Sequence, residues 1–174
     1  MANVPVAVVH MNRADTELVD GLRLEDLKKV RHALLEGANV NEPDEFGLTP
    51  LHSALCRWNT DLLRAVLLAG PKLDTLVPRT IGNLNNNAGT LKGDNYIGYL
   101  LHNEVQNWDD NVDRKLGSVI LKRSPSEIVG RIRLLLLAGE KLTPKNMDKI
   151  QQLAKLFKEF RSLVPILSGS SGDL

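Results

Sequence analysis

The sequence has a single cysteine, Cys56, among 174 residues, and aromatic residues make up only 4% of it. One cysteine excludes an intramolecular disulfide and any zinc site built from several cysteines. Because aromatic side chains are scarce, the core must consist mainly of Leu, Val, Ile and Ala, which favours packed helices over a β-sandwich. The length predicts one domain, large enough to bury a core without metals or disulfides.

The sequence also lacks a long apolar run. The segment VPVAVV (residues 4–9) is too short for a signal-peptide core with a basic flank, and too short to span a bilayer. We therefore expect a cytoplasmic protein with no membrane partner. Secretion by a non-classical route stays open.

Charge is unevenly distributed along the chain. Residues 1–113 hold 10 Lys/Arg and 16 Asp/Glu, whereas residues 114–161 hold 12 and 4. Such a split bears on partners rather than on the fold. The basic half predicts a patch that attracts nucleic acid or an acidic protein, formed by Arg131, Arg133, Lys145, Lys149, Lys155, Lys158 and Arg161. Nucleic acid is the less favoured partner, because few aromatic side chains could stack on its bases.

Two similar segments indicate an internal repeat. Residues 24–41 and 59–74 each read as an amphipathic helix closed by a glycine, and the two glycines, Gly37 and Gly70, are 33 residues apart. Glycine after the last turn suits a left-handed C-cap. The apolar faces are predicted to comprise Leu27, Val30, Leu34 and Leu35 in the first helix and Leu62, Leu63, Val66 and Leu67 in the second.

A third copy follows at a longer spacing. The segment LLAGEKL resembles LLAGPKL, and its glycine, Gly139, lies 69 residues after Gly70. The segment LHNEVQNWDDN (residues 101–111) matches LHSALCRWNTD (residues 51–61) at an offset of 50, which predicts an enlarged third repeat. Its first insertion contains GNLNNNAGTLKGDN (residues 82–95), which is rich in Gly and Asn and reads as a mobile loop.

The two ends read as caps of a helical stack. A first helix is predicted from Asp15 to Arg23, with Asp15 or Thr16 as N-cap. A last helix is predicted from Thr143 to Phe160, and a polar outer face suits it to end a stack. Its apolar face comprises Ile150, Leu153, Ala154, Phe157 and Phe160. The division is an extended segment 1–14, repeats at 15–41, 42–74 and 75–142, a capping helix 143–161 and a disordered tail 162–174.

The stretch FGLTPLHSAL (residues 46–55) predicts a turn followed by a short helix. Gly47 permits the turn, Thr49 is the N-cap candidate and Pro50 is preset for the first helical position. A neutral His52 in the first turn can bond the backbone and stabilise the turn. Leu51, Ala54 and Leu55 form the buried face.

This stretch resembles the signature of the ankyrin repeat family, and the match runs from Val40 to Gly70. The resemblance implies an all-α solenoid of helix-turn-helix repeats with a C-terminal capping helix. Trp58 and Trp108 depart from the family, which usually has Gly there, and Asn59 is predicted to supply the left-handed conformation instead.

Signals for catalysis or metal binding are weak. Neither His52 nor Cys56 has a marked catalytic partner, and His102 with Glu104 falls short of a zinc ligand set. The acidic run at residues 107–113 lacks the Gly and distal Glu of a calcium loop. We therefore expect no enzyme activity, no metal and no cofactor, with a hydrolase or transferase hidden in residues 80–125 kept as a remote alternative.

The resemblance implies a protein-protein interaction module, acting as an adaptor or inhibitor, that binds through its repeat turns and its first helices. The predicted partner-binding residues are Glu42, Asp44, Glu45, Phe46, Leu48, Ser53, Cys56, Arg57, Trp58, Leu76, Val77 and Arg79. The alternatives are a binder of nucleic acid or of an acidic partner through the basic half, and a secreted pathogen effector that targets a protein in the host cytoplasm or nucleus. The oligomeric state stays open.

Overall fold

The computed structural model describes residues 12–44, 47–57, 59–75, 94–106 and 119–165. The chain divides into two compact units, residues 1–71 and residues 72–174. Helices make up most of the described chain, in agreement with the predicted all-α class. Several predicted features lie outside the described residues: the segment 4–9, Trp58, Trp108, the mobile loop up to residue 93 and the acidic run at 107–113.

The described residues of the first unit form four helices, which are α1 Arg13–Arg23, α2 Leu27–Leu35, α3 Pro50–Cys56 and α4 Thr60–Leu68. Two helix pairs, α1–α2 and α3–α4, pack side by side, so that α1 contacts α3 and α2 contacts α4. Gly21 allows the close packing of α1 on α2, because a Cβ there would lie 2.9 Å from Val30 Cγ2 and 3.0 Å from its backbone nitrogen.

Burial in the first unit repeats with the 33-residue period of the sequence. Leu18, Gly21 and Leu22 of α1 are buried, and so are Leu51, Ala54 and Leu55 of α3. The pair Val30 and Ala33 in α2 corresponds in the same way to Leu63 and Val66 in α4. Each pair of helices therefore places the same positions in the core.

The helix ends follow the same period. Asp26 caps α2 by accepting from the Lys28 and Lys29 amides, and Asn59 caps α4 by accepting from the Asp61 amide. Gly37 and Gly70 follow with φ of 85° and 72°, so the predicted left-handed C-caps are confirmed.

Three local predictions in the first unit are wrong. The N-cap of α1 is Asn12, whose side chain accepts from the Asp15 amide, so the helix begins before the predicted Asp15. Asn59 has φ −82° and is not left-handed, because it serves as an N-cap. Leu35 is 86% exposed, because it lies two residues after Ala33 and five after Val30 and so points away from the buried side of α2.

The second unit contains helices α5 Tyr96–Glu104, α6 Pro125–Leu137 and α7 Pro144–Leu156, followed by a 3-10 helix, Lys158–Leu163. Helix α5 packs on α6 and α7, and the 3-10 helix also packs on both α6 and α7. Two short strands, β1 Val105–Gln106 and β2 Ile120–Leu121, pair in antiparallel fashion, with Val105 opposite Leu121.

The sequence match at offset 50 does not place its two histidines at the same position of a helix. Helix α5 begins after Asn95, and its buried residues Ile97, Leu100 and Leu101 have the spacing of Leu51, Ala54 and Leu55 in α3, at an offset of 46. His102 therefore lies in the last turn of α5, whereas His52 lies in the first turn of α3. The sequence match at offset 50 does not reflect equivalent positions.

The C-terminal helix is shorter than predicted. Helix α7 begins after the predicted N-cap Thr143 but ends at Leu156, because Phe157 is extended with φ −123° and ψ 118°. The chain then forms the 3-10 helix, which buries Phe160 and Leu163. Leu163 thus belongs to the core although it falls within the predicted disordered tail; residues 166–174 lie outside the described residues.

Among the helices formed by described residues, the longest are α6 and α7, with 13 residues each. A membrane-spanning helix needs about 20 apolar residues. In the described part of the chain, no helix is long and apolar enough to cross a membrane.

Candidate partner-binding surface

The turn before α3 is closed by Asp44. Its amide donates to the Leu48 carbonyl at 2.9 Å, and its carboxylate accepts from the Leu48 amide at 2.8 Å. The Gly47 amide donates to the Asp44 carbonyl at 2.9 Å, with Gly47 at φ 80°. These bonds join Asp44 to Gly47 and Leu48, and they occupy the carboxylate of a residue that was predicted to meet a partner.

The TPLH segment holds the start of α3 through His52. The Thr49 amide donates to His52 Nδ1 at 3.2 Å, and the Thr49 hydroxyl oxygen lies 2.9 Å from the same nitrogen. A ring nitrogen that accepts an amide hydrogen bond carries no proton, so the neutral ring has its proton on Nε2. His52 is fully buried, and burial lowers its pKa to about 4. The predicted structural role of a neutral His52 is confirmed.

Six of the predicted partner-binding residues belong to the described chain. The structure places Glu42, Asp44 and Leu48 in the turn and Ser53, Cys56 and Arg57 on or just after α3. Glu42 accepts from Asn39 Nδ2 at 3.1 Å, and Cys56 is exposed and not in a disulfide. The other six, which are Glu45, Phe46, Trp58, Leu76, Val77 and Arg79, lie outside the described residues.

A buried polar junction in the second unit was not predicted from the sequence. Asn95 caps α5 by accepting from the Gly98 amide at 3.0 Å and from Asn146 Nδ2 at 2.7 Å, and its own Nδ2 donates to the Lys141 carbonyl at 2.7 Å. One amide side chain thus connects the start of α5, the loop before α7 and α7 itself. The asparagine before an apolar run was an N-cap signal that the sequence already contained.

Two carboxyl groups border this junction. Lys145 Nζ lies 3.1 Å from Asp94 Oδ1. Glu140 is buried beside the backbone amide of Tyr96 and the side chain of Asn95. Burial raises the pKa of Glu140 to about 7, although hydrogen bonds from both neighbours favour its charged form. The group therefore changes charge near neutral pH.

A second buried cluster joins α5, the segment after β2 and α6. Arg123 Nη1 pairs with Glu104 Oε1, and both side chains are almost fully buried. Burial raises the pKa of Glu104, while Arg123 and then Arg131 oppose the shift by attracting its charged form. Within the described ranges, no three His, Cys, Asp or Glu side chains gather as a metal site would require.

The predicted basic patch loses two of its members. Arg131 is 1% exposed and belongs to the cluster around Glu104, so it is not part of a surface. Lys145 pairs with Asp94. Of the other five, Lys149 is half-buried, whereas Arg133, Lys155, Lys158 and Arg161 are exposed. The Arg161 guanidinium donates to the Ala154 carbonyl at 3.1 Å.

Comparison with known proteins does not extend these observations. No protein-family model matches the chain, and no curated protein matches its sequence significantly.

Proposed function

We propose that the chain is an ankyrin-type protein-interaction module and not an enzyme. It binds a protein partner through the turn before α3 and the neighbouring exposed side of that helix. The observation that carries the proposal is the 33-residue period of the first unit, in which buried positions, N-caps and left-handed glycines all recur. Repeat architectures of this kind stack equivalent hairpins and leave turn and helix edges free for binding.

The use of polar side chains in the turn supports a binding role rather than catalysis. His52 is buried and neutral, so it cannot reach a substrate as a general base. Asp44 bonds to Leu48, and Thr49 bonds to His52, so the two polar side chains hold the segment that leads into α3. Backbone that is already held loses little conformational entropy when it binds a partner.

The single cysteine offers a direct test. Cys56 is exposed at the end of α3 and can carry a photo-activatable benzophenone. Cross-linking in a lysate of the source cells, followed by mass spectrometry, should identify a partner protein. A matched control moves the label to the second unit by combining Cys56→Ser with Lys158→Cys, because Lys158 is also exposed.

The proposal expects one protein to be captured from Cys56 and not from position 158. Arg57→Ala should reduce the yield of cross-linked partner about tenfold or more, because a few interface residues, often arginines, carry most of the binding energy. The thermal stability of this variant should stay close to that of the wild type. Equal capture from both positions, or an unchanged yield with Arg57→Ala, would refute the assignment of this surface.

A second candidate is an anionic partner bound at the end of α5. The pKa of His102 is lowered first by burial and then by the nearby charge of Lys149, with smaller effects of Lys122 and Lys145, while the Asp94 carboxylate opposes the shift. Three lysines and one carboxylate therefore lie close to one half-buried imidazole. The affinity for an anionic partner at this site should fall steeply as the salt concentration rises. If the affinity for the captured partner depends only weakly on salt, this role is excluded.

A further inference from the structure

Three leucines on second helices face outward at equivalent positions. Leu35, Leu68 and Leu137 are the last residues of α2, α4 and α6, and each stands two residues before a left-handed glycine. They are 86%, 88% and 85% exposed. Each therefore keeps almost all of its surface in water. A single exposed leucine is ordinary, but an exposed leucine that recurs at equivalent positions calls for an explanation.

An exposed arginine precedes each leucine by four residues. The three segments are RHALLEG, RAVLLAG and RLLLLAG, and their arginines are Arg31, Arg64 and Arg133. Residues four apart are neighbours on a helix surface. Each second helix thus presents one cation beside one apolar side chain.

The fold does not require these leucines. The core positions of the same helices are filled by Val30 and Ala33, Leu63 and Val66, and Ile132 and Leu135, all of which are buried. Lys, Gln or Glu would serve the exposed helix position about as well as Leu, because their helix propensities are similar. A function at the surface accounts for the repeated choice.

We propose that the Arg–Leu pairs of α2 and α4 dock an acidic amphipathic helix of a partner protein. Helices α2 and α4 pack together in the first unit, and packed helices lie about 8–10 Å apart. In a stack of equivalent hairpins, equivalent residues of neighbouring repeats are as far apart as the helices that carry them. Leu35 and Leu68 are therefore separated by about the same distance as the axes of α2 and α4. A partner helix with apolar residues seven positions apart spans about 10.5 Å, so two of its side chains meet the two leucines while its carboxylates meet Arg31 and Arg64.

Carboxylates on the same surface favour a protein over an anionic membrane. Glu36 follows Leu35, and Asp61 lies 3.0 Å from Arg64. A lipid surface would cover these carboxylates as well, whereas a single helix can pass beside them. The Asp61–Arg64 pair is weak because both side chains are more than half exposed, so Arg64 can exchange its partner.

This surface is separate from the one assigned above. The Arg–Leu pairs lie on second helices, whereas the proposed module binds through the turn before α3 and through α3 itself. Either surface can therefore fail its test without the other.

The test uses the full chain and a fluorescent helical peptide. The peptide carries two leucines seven residues apart on a glutamate-rich face, and a control peptide of the same composition has one leucine moved to the opposite face. Anisotropy should show binding of the first peptide and at least tenfold weaker binding of the control. The double variant Leu35→Gln/Leu68→Gln should also bind about tenfold more weakly or worse.

Two matched variants should leave the affinity unchanged. Leu24→Gln alters another leucine of the first unit, 66% exposed but outside the Arg–Leu pairs, and Arg57→Ala alters the separate surface near α3. Thermal melts confirm that every variant folds. The proposal is overturned if the wild-type chain does not bind the peptide, or if the double variant binds as the wild type does. It is also overturned if the leucines instead mediate dimerisation in sedimentation, or binding to phosphatidylserine vesicles.

Discussion

The Thr49 amide donates a hydrogen bond to Nδ1 of His52, three residues later, in a fully buried turn. The same nitrogen lies 2.9 Å from the Thr49 hydroxyl oxygen. The amide bond needs an imidazole without a proton on Nδ1, and the hydroxyl can then donate to the same nitrogen, so the turn is compatible only with the neutral ring. The arrangement ties the stability of the first unit to pH.

Protonation of His52 should destabilise the protein in acid. Burial lowers its pKa from 6.5 to about 4, so between these values the unfolded chain binds a proton that the folded chain does not. The free energy of unfolding should therefore fall as pH drops through this window, by on the order of 3 kcal/mol in total. Urea titrations of the wild type and of His52→Gln isolate the effect. Gln at this position of a capping box still accepts from the Thr49 amide but does not titrate. Equal acid sensitivity of the two proteins would contradict the prediction.

Ionisation of Glu140 should make the stability of the protein depend on pH in the opposite direction. Its pKa is raised to about 7 by burial, so between its ordinary value and about 7 the folded chain holds a proton that the unfolded chain has lost. Stability should fall as pH rises through this window. Glu140→Gln should match the wild type near pH 4.5 and exceed it by about 1–3 kcal/mol near pH 8, because the neutral amide cannot ionise. Urea titrations at the two pH values measure the difference. A Gln variant that is less stable than the wild type near pH 8 would contradict the idea that burial destabilises the charged form of Glu140.

Local signals in the sequence are sufficient to predict much of the structure of the first unit. Thr49, Pro50 and the glycines at 37 and 70 act within one turn of their own backbone, so their roles follow from residue type and position. The burial of Leu51, Ala54 and Leu55 follows from helical periodicity. A repeat period adds confirmation, because the same local signals occur twice.

The predictions failed where distant residues decide the structure. The Glu104–Arg123 pair joins residues 19 positions apart, and Asn95 contacts Asn146 across 51 positions. Neither pairing has a local sequence signal, so Arg131 was assigned to a surface patch although it is buried beside Glu104. The register of α5 was set by matching His102 to His52, whereas burial of Ile97, Leu100 and Leu101 sets it in the structure.

The buried pair of Glu104 and Arg123 should be strongly coupled. Glu104→Gln removes the carboxylate that faces Arg123 and Arg131, and it should cost about 3–5 kcal/mol because a buried negative charge that stabilises two buried cations is lost. Arg123→Met alone should also destabilise. The double variant should cost less than the sum of the two single variants by at least about 1 kcal/mol. A double-mutant cycle with chemical denaturation measures this coupling, and additive losses would show that the two groups act independently.

Gly98 and Gly130 should respond in opposite ways to alanine. A Cβ at Gly98 would lie 2.9 Å from Asp94 Cβ and 3.2 Å from Asn146 Oδ1, within the junction that caps α5. Gly98→Ala should therefore cost about 1–3 kcal/mol, since Asp94 is also held by Lys145 and cannot move freely. At Gly130, within α6, a Cβ would meet nothing within 4 Å, so Gly130→Ala should stabilise the helix by about 0.5–1 kcal/mol.

Thermal and urea denaturation of the two variants provide the comparison, because the chemical change is identical and only the surroundings differ. Stabilisation of both variants would mean that the junction around Asn95 has room for a methyl group, and its tight packing would then not be what fixes the start of α5.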